Sequence, residues 1–259
     1  MNVKAIANHI INKLPEMPIL AVILGSGQGS FVDRMKERVT ISYDDIPDYP
    51  CSTVSGHVGE WVFGFIKEKP LICASGRFHM YEGFTMEVVT LPVSVVHALG
   101  CKKLIITNAA GCLKKDWQIG DIMLIREYID YTFSLKKGQP EIVKIAITEQ
   151  KLSEIRLAAS GLRLQLREGI YTWVLGPSYE TPAEIQDIIS HGGNAVGMST
   201  VPEIMKAIEL DLDIMGISCF TNYGAGLEGK QLSHSDVLET SGRVNKDFTR
   251  LVNEIASLL

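Results

Sequence analysis

Seven short apolar runs punctuate this chain, at residues 19–24, 61–66, 71–74, 104–107, 122–125, 171–175 and 214–220. Each is too short for a buried helix but long enough for a strand covered on both faces. The stretches between them can form helices. Strands and helices in alternation call for an α/β domain in which helices cover a mixed or largely parallel sheet. Ligands of such sheets sit beyond the strand ends, so the residues that directly follow the apolar runs are where a site is expected.

Several helices carry their own start and stop signals. Val3, Ile6, Ala7, Ile10, Ile11 and Leu14 recur at helical spacing, and Pro15 and Pro18 then stop the helix. Thr181-Pro182-Ala183-Glu184 offers a threonine N-cap, a proline in the first turn and a reciprocating glutamate, which predicts a helix over 182–190. A second helix is expected over 148–160, with Gly161 as its C-terminal cap. Ser233 with Asp236 opens a terminal helix whose apolar face is Val237, Val244, Phe248, Leu251, Val252, Ile255 and Leu258. The polar stretch 136–140 reads as an exposed turn, and no internal repeat or long linker divides the chain.

A chain of 259 residues with 46% hydrophobic content can bury one sizeable core. A net charge of -5 without a basic stripe disfavours nucleic acid as a partner. The cysteines, at 51, 73, 101, 112 and 219, show no Cys-x-x-Cys pair and read as reduced thiols. The first 14 residues lack the unbroken apolar core of a signal peptide, and no stretch is apolar enough to span a membrane. A soluble, intracellular protein is expected.

Five segments are poor in bulky side chains and rich in groups that bind anions or read hydrogen-bond patterns. Gly25-Ser26-Gly27 follows the first apolar run. Its spacing is neither the dinucleotide fingerprint nor the Walker pattern, so it is either a phosphate-binding loop, with Ser26 adding a hydroxyl, or a tight turn. In Gly76-Arg77-Phe78-His79-Met80-Tyr81-Glu82-Gly83, Arg77 can grip two oxygens, His79 can donate to a third and Glu82 can orient or charge the imidazole. The plainer reading pairs Arg77 with Glu82 at the surface, with His79 topping the core. Thr107-Asn108-Ala109-Ala110-Gly111 ends a strand with residues too small to block a ligand, or else packs a helix closely.

The remaining segments are Gly176-Pro177-Ser178-Tyr179-Glu180, and Met198-Ser199 with Thr221-Asn222. Ser199 adds a hydroxyl for an oxyanion. Glu180 accepts two N–H bonds in its plane, which matches N1–H of a 6-oxopurine, and Asn222 can donate to a 6-oxo group while accepting from N7–H. Taken singly, Glu180 can equally be a helix-start carboxylate and Asn222 a turn former.

Taken together and in order over about residues 20–240, these segments, with Ala195-Val196-Gly197-Met198-Ser199-Thr200-Val201-Pro202-Glu203, resemble the trimeric purine nucleoside phosphorylases. The resemblance implies one domain over 1–259, a twisted mixed sheet with a partial barrel flanked by helices, and a cytoplasmic homotrimer with sites near its interfaces. It implies that Ser26, Arg77, His79, the backbone of Ala109 and Ser199 bind phosphate, with Glu82 supporting His79 and His57 reaching over the site from a flexible loop. Tyr81, Met198 and His234 would contact ribose, His234 at the 5′-hydroxyl. Glu180 and Asn222 would read the purine, with Tyr179 against its ring, so that Glu180, Asn222 and His79 form the catalytic set.

The implied activity is reversible phosphorolysis of 6-oxopurine ribo- or deoxyribonucleosides, such as inosine and guanosine, to free base and the pentose 1-phosphate. Inorganic phosphate is the co-substrate, and no metal or cofactor is expected. The run from Arg126 to Pro140 is shorter than in the family, where an insertion helps cover a neighbouring subunit's ribose pocket; Tyr131 or Phe133 is the candidate for the missing aromatic. Tyr179 stands where phenylalanine is common, and Tyr223-Gly224 follows Asn222 where bulkier or alanine-rich sequence is usual. Two rivals are a 5′-methylthioadenosine phosphorylase, which wants aspartate in place of Asn222 and a smaller group than His234, and a non-catalytic nucleoside- or phosphate-binding protein.

Overall fold

The computed structural model describes residues 1–51, 58–133, 138–228, 240 and 246–256. Its strands are β1 (Leu20–Ile23), β2 (Lys36–Ser42), β3 (Glu60–Ile66), β4 (Lys69–Ser75), β5 (Lys103–Cys112), β6 (Ile122–Asp130), β7 (Ile142–Lys144), β8 (Leu166–Trp173), β9 (Ala195–Gly197) and β10 (Asp213–Tyr223). The helices are α1 (Val3–Ile11), α2 (Met86–Val89), α3 (Leu91–Ala98), α4 (Glu149–Gly161), α5 (Pro182–Ser190) and α6 (Val201–Glu209), with α7 over 246–256.

All ten strands form one mixed sheet in the order β10-β6-β8-β9-β5-β1-β4-β3-β2, with β7 on β6. Because β10 also pairs with β5, the strands β5, β10, β6, β8 and β9 close into a five-stranded ring, and β1, β4, β3 and β2 extend from it as an open wing. The ring matches the partial barrel in a mixed sheet that the resemblance implies.

The apolar runs are continuous because both sheet faces are covered. Along β1, Ala21 and Ile23 enter a core shared with α1, α3 and α6, while Leu20, Val22 and Leu24 enter a second core against α4 and α7. β5 alternates likewise, with Leu104 and Ile106 in the first core and Ile105 in the second. Within α7, Phe248, Leu251, Val252 and Ile255 are buried, as the periodicity predicts; Ser233, Asp236, Val237, Val244 and Leu258 lie outside the described residues.

α5 spans the predicted residues, and Thr181 Oγ1 accepts from Glu184 N while Glu184 Oε2 accepts from Thr181 N at 2.7 Å. Two helix ends differ from expectation. α1 stops at Ile11, so Leu14 follows in a turn that packs on the first core. α4 runs through Gly161, and the left-handed residue that ends it is Arg163, at φ 58°. Leu164 N then bonds back to Ala159 O at 2.9 Å, and Leu162 and Leu164 pack on the second core. Burial of those two leucines, rather than the glycine, decides where the helix closes.

β5 and β10 run well past the apolar segments that announced them, through Asn108–Gly111 and Thr221–Asn222. They pair with each other over that length, so small and polar residues are held extended by the partner strand.

Candidate active site

The site opens where the sheet splits. β1 accompanies β5 only from Lys103 to Ile106, and β9 joins it only at Gly111 and Cys112. Between these points Thr107 to Ala110 have a strand partner, β10, on one side only. The loops after β1, β4, β8 and β9 converge on that gap, the place where open α/β sheets hold ligands. The result is an open cleft lined by Ser26, Arg77, His79, Tyr81, Asn108, Ala109, Ala110, Gly111, Tyr179, Glu180, Val196, Gly197, Met198, Ser199, Thr221 and Asn222.

Gly25 lets the first loop cross β5, because a Cβ there would lie 2.6 Å from Asn108 Cα and 2.9 Å from Thr107 O. Buried Gln28 ties the crossing down. Its Oε1 accepts from Gly25 N at 2.8 Å and its Nε2 donates to Asn108 O at 3.0 Å, which leaves Ser26 at the rim of the cleft.

The segment after β4 alternates between cleft and core. Phe78 is fully buried against Tyr43 and Tyr49, so Arg77 and His79 on either side of it face the cleft. Arg77 is itself only 2% exposed. Its Nε donates to Glu203 Oε1 at 3.0 Å and its Nη1 to Thr107 O at 2.8 Å, with Ser199 Oγ at 3.4 Å. Its Nη2 is buried without a hydrogen-bond partner among the described residues. The plainer expectation, a surface Arg77 paired with Glu82, is corrected: Arg77 pairs with Glu203 of α6, and Glu82 serves His79. Glu82 Oε1 accepts from His79 N at 2.8 Å and lies 3.0 Å from His79 Nδ1. A carboxylate only accepts, so Nδ1 carries a proton.

Opposite this cationic end, β10 carries a bulge. Phe220 pairs with Ala110 and Asn222 with Gly111, leaving Thr221 as an extra residue. The bulge falls where Thr221 and Asn222 line the cleft and bends the strand there. Thr221 Oγ1 donates to Asn222 Oδ1 at 2.9 Å, and Asn222 Nδ2 donates to Tyr223 O at 3.0 Å. Those bonds fix which way the amide faces and leave each end one further bond.

Glu180 comes from the loop before α5, whose Gly176 lies against Met198 and Tyr81 at φ +73°, a backbone conformation that side chains rarely adopt. Burial pushes the Glu180 carboxyl above its ordinary range, and the charge of Glu184 adds to the effect. Tyr81 stacks on His79 with ring centroids 4.7 Å apart, and burial lifts its phenol to about 12, so it stays neutral. One end of the cleft thus offers a guanidinium, an imidazole and hydroxyls to an oxyanion. The other offers an acceptor and a donor–acceptor amide to a heterocycle edge.

The sequence profile of the Phosphorylase superfamily matches residues 19–257. The chain belongs to this superfamily. Purine nucleoside phosphorylase 1 of Geobacillus stearothermophilus is 40% identical over 96% of this chain and 94% of its own. Purine nucleoside phosphorylase of Bos taurus is 36% identical over 95% and 91%. The Schistosoma mansoni purine nucleoside phosphorylase solved in complex with inosine superimposes over 100% of this chain and 96% of its own, with a TM-score of 0.88 and 28% identity.

Of the residues singled out from sequence, this superfamily member gathers Ser26, Arg77, His79, Tyr81, Ala109, Tyr179, Glu180, Met198, Ser199 and Asn222 around the cleft, with Glu82 behind His79. His57 and His234 lie outside the described residues. Tyr131 and Phe133 do not line the cleft; Tyr131 donates to Asp187 of α5, and Phe133 is exposed. Gln28 and Glu203 escaped the sequence reading as braces of the site. Glu203 had a signal, since Thr200-Val201-Pro202-Glu203 repeats the threonine, proline and glutamate pattern of Thr181 to Glu184. Gln28 had none, because its role needs β5 alongside. Among the described residues no group of three or more His, Cys, Asp or Glu side chains is arranged to hold a metal, and no helix is long and apolar enough to cross a membrane.

Proposed function

We infer that this chain is a purine nucleoside phosphorylase, a pentosyltransferase that cleaves 6-oxopurine ribo- and deoxyribonucleosides with inorganic phosphate. The observation that carries this reading is that Arg77, His79, Ser26 and Ser199 line the same cleft as Glu180 and Asn222. The names of its relatives support phosphorolysis of purine nucleosides over the 5′-methylthioadenosine alternative.

Phosphate binds at Ser26, Arg77, His79, Ser199 and the backbone of Ala109, with His57 as a further phosphate-binding residue. As an imidazolium His79 donates to a phosphate oxygen; as a neutral ring it accepts from the P–OH of monohydrogen phosphate. Tyr81, Met198 and His234 hold the pentose between the two ends. Glu180 accepts N1–H of the purine, Asn222 donates to O6 and accepts from N7–H, and Tyr179 lies against the ring.

Breaking the C1′–N9 bond leaves positive charge on the sugar and sends the electron pair into the purine. The phosphate dianion stabilises the first charge. Asn222 stabilises the second by holding an N7 protonated from solvent, since an amide is too weak an acid to supply that proton. A phosphate oxygen then bonds to C1′, giving pentose 1-phosphate and free base. The site works by charge and hydrogen bonds fixed before the reaction, complementary to the transition state. We take the enzyme to be a cytoplasmic homotrimer that needs no cofactor.

A nucleoside panel tests this. Inosine and guanosine should release base only with phosphate or arsenate present. Equal release in plain buffer would make the protein a hydrolase, and no release in either would leave it a binding protein.

A further inference from the structure

Glu203 lies outside the cleft, yet it touches both walls of the anion end. Its side chain is fully buried at the third position of α6. Oε1 accepts from Arg77 Nε at 3.0 Å, and Oε2 accepts from Thr200 N at 3.1 Å. Arg77 arrives from the loop after β4 and Thr200 from the loop after β9, so one carboxylate joins two segments more than a hundred residues apart.

Both contacts act on residues that need holding. With Nε tied to Glu203 and Nη1 to Thr107 O, the plane of the guanidinium is set, and Nη2 has no hydrogen-bond partner among the described residues. Thr200 has φ +76° and ψ -49°, and Val201 N bonds to Ser199 O at 2.9 Å around it, a strained three-residue turn that is a genuine outlier for a β-branched residue. Strain of this kind persists only where neighbouring groups over-determine the backbone. Here Glu203 takes the Thr200 amide, and Asn108 Nδ2 donates to Thr200 Oγ1 at 2.9 Å. Holding Thr200 fixes Ser199, the residue before it, whose hydroxyl lines the cleft within 3.4 Å of Arg77 Nη1.

We propose that Glu203 is a positioning residue for phosphate: one buried carboxylate sets the Arg77 guanidinium and the Ser199 hydroxyl at the spacing an oxyanion needs. This rests on the phosphorylase reading of the site. Glutamate fits because it accepts from both donors. A glutamine offers an acceptor to only one of them and turns an N–H towards the other, and an aspartate is a methylene too short to span them.

The test is steady-state kinetics with inosine, varying phosphate and nucleoside separately, for wild type, Glu203→Gln and Glu203→Asp. Loss of one charge-assisted contact predicts a phosphate KM raised about tenfold or more in both variants, with the nucleoside KM within about threefold of wild type. Parallel changes in the two KM values, or no change, would overturn the proposal, as would an aspartate variant with the wild-type phosphate KM, since charge alone would then suffice. A wild type without phosphate-dependent turnover fails the phosphorylase reading instead. Should neither variant fold, amide-resolved hydrogen exchange of the wild type decides: the Thr200 amide should exchange as slowly as core strand amides, and exchange as fast as exposed loops would overturn the proposal.

Discussion

Replacing Arg77 with methionine separates the fold's need for this guanidinium from the substrate's. The residue is 2% exposed, and its partner Glu203 is fully buried. The substitution removes the Nε bond to Glu203 and the Nη1 bond to Thr107 O, leaving a buried carboxylate that keeps only the Thr200 amide. Breaking a buried ion pair from one side costs about 3–5 kcal/mol, which in a chain of this size lowers the melting temperature on the order of 10 °C. Loss of the proposed guanidinium contact to phosphate removes a charge-assisted hydrogen bond of about 1.5–3 kcal/mol, a rise of about 10- to 150-fold in phosphate KM. The double variant Arg77→Met/Glu203→Gln no longer buries a lone charge, so part of the lost stability returns, while phosphate affinity does not. Calorimetry and phosphate-dependent inosine cleavage read the two effects separately. If stability and phosphate KM recover together in the double variant, Arg77 acts on phosphate only through the fold and its assigned contact is wrong.

Three further outcomes are expected. As the proposed acceptor of N1–H, Glu180 accepts most strongly when ionised, and burial, with the Glu184 charge, raises its carboxyl; kcat/KM for inosine should hold above that raised value and fall as pH drops through it, at a pH above the ordinary glutamate value of about 4.3. Glu180→Gln should abolish that acid limb, and a limb that persists belongs to another group. Asn222→Asp turns a second acceptor towards O6 and towards Tyr223 O, so adenosine turnover should rise relative to inosine by about tenfold or more, the worth of one hydrogen bond reversed; an unchanged ratio removes Asn222 from base reading. Gly25→Ala places a Cβ 2.6 Å from Asn108 Cα and should cost about 1–3 kcal/mol with a raised phosphate KM, whereas Gly29→Ala meets nothing within 4 Å and should be neutral within about 0.5 kcal/mol; equal effects in a thermal-shift assay would contradict the packing argument.

The sequence by itself determined the class of the fold and singled out most of the polar residues that line the cleft. Apolar runs without alternation announced doubly covered strands, because a strand buried on both faces has no polar side to display. The Thr181 to Glu184 pattern fixed the start of α5, because a capping box is local chemistry among four residues. Arg77, His79, Glu180 and Asn222 stood out because their hydrogen-bonding groups suit an oxyanion and a purine edge whatever the fold.

Tertiary structure alone decided how those members meet. No local signal told that β10 returns to β5 and closes a ring, since strand pairing depends on partners distant in the chain. The bulge at Thr221 exists only in register with Ala110 and Gly111. Glu82 reaches His79 from three residues along the chain, as the resemblance implies, whereas Glu203 reaches Arg77 only through space. The end of α4 likewise followed the burial of Leu162 and Leu164 instead of its glycine. Local chemistry can be read residue by residue, but a contact between distant segments is set by the packing that brings them together.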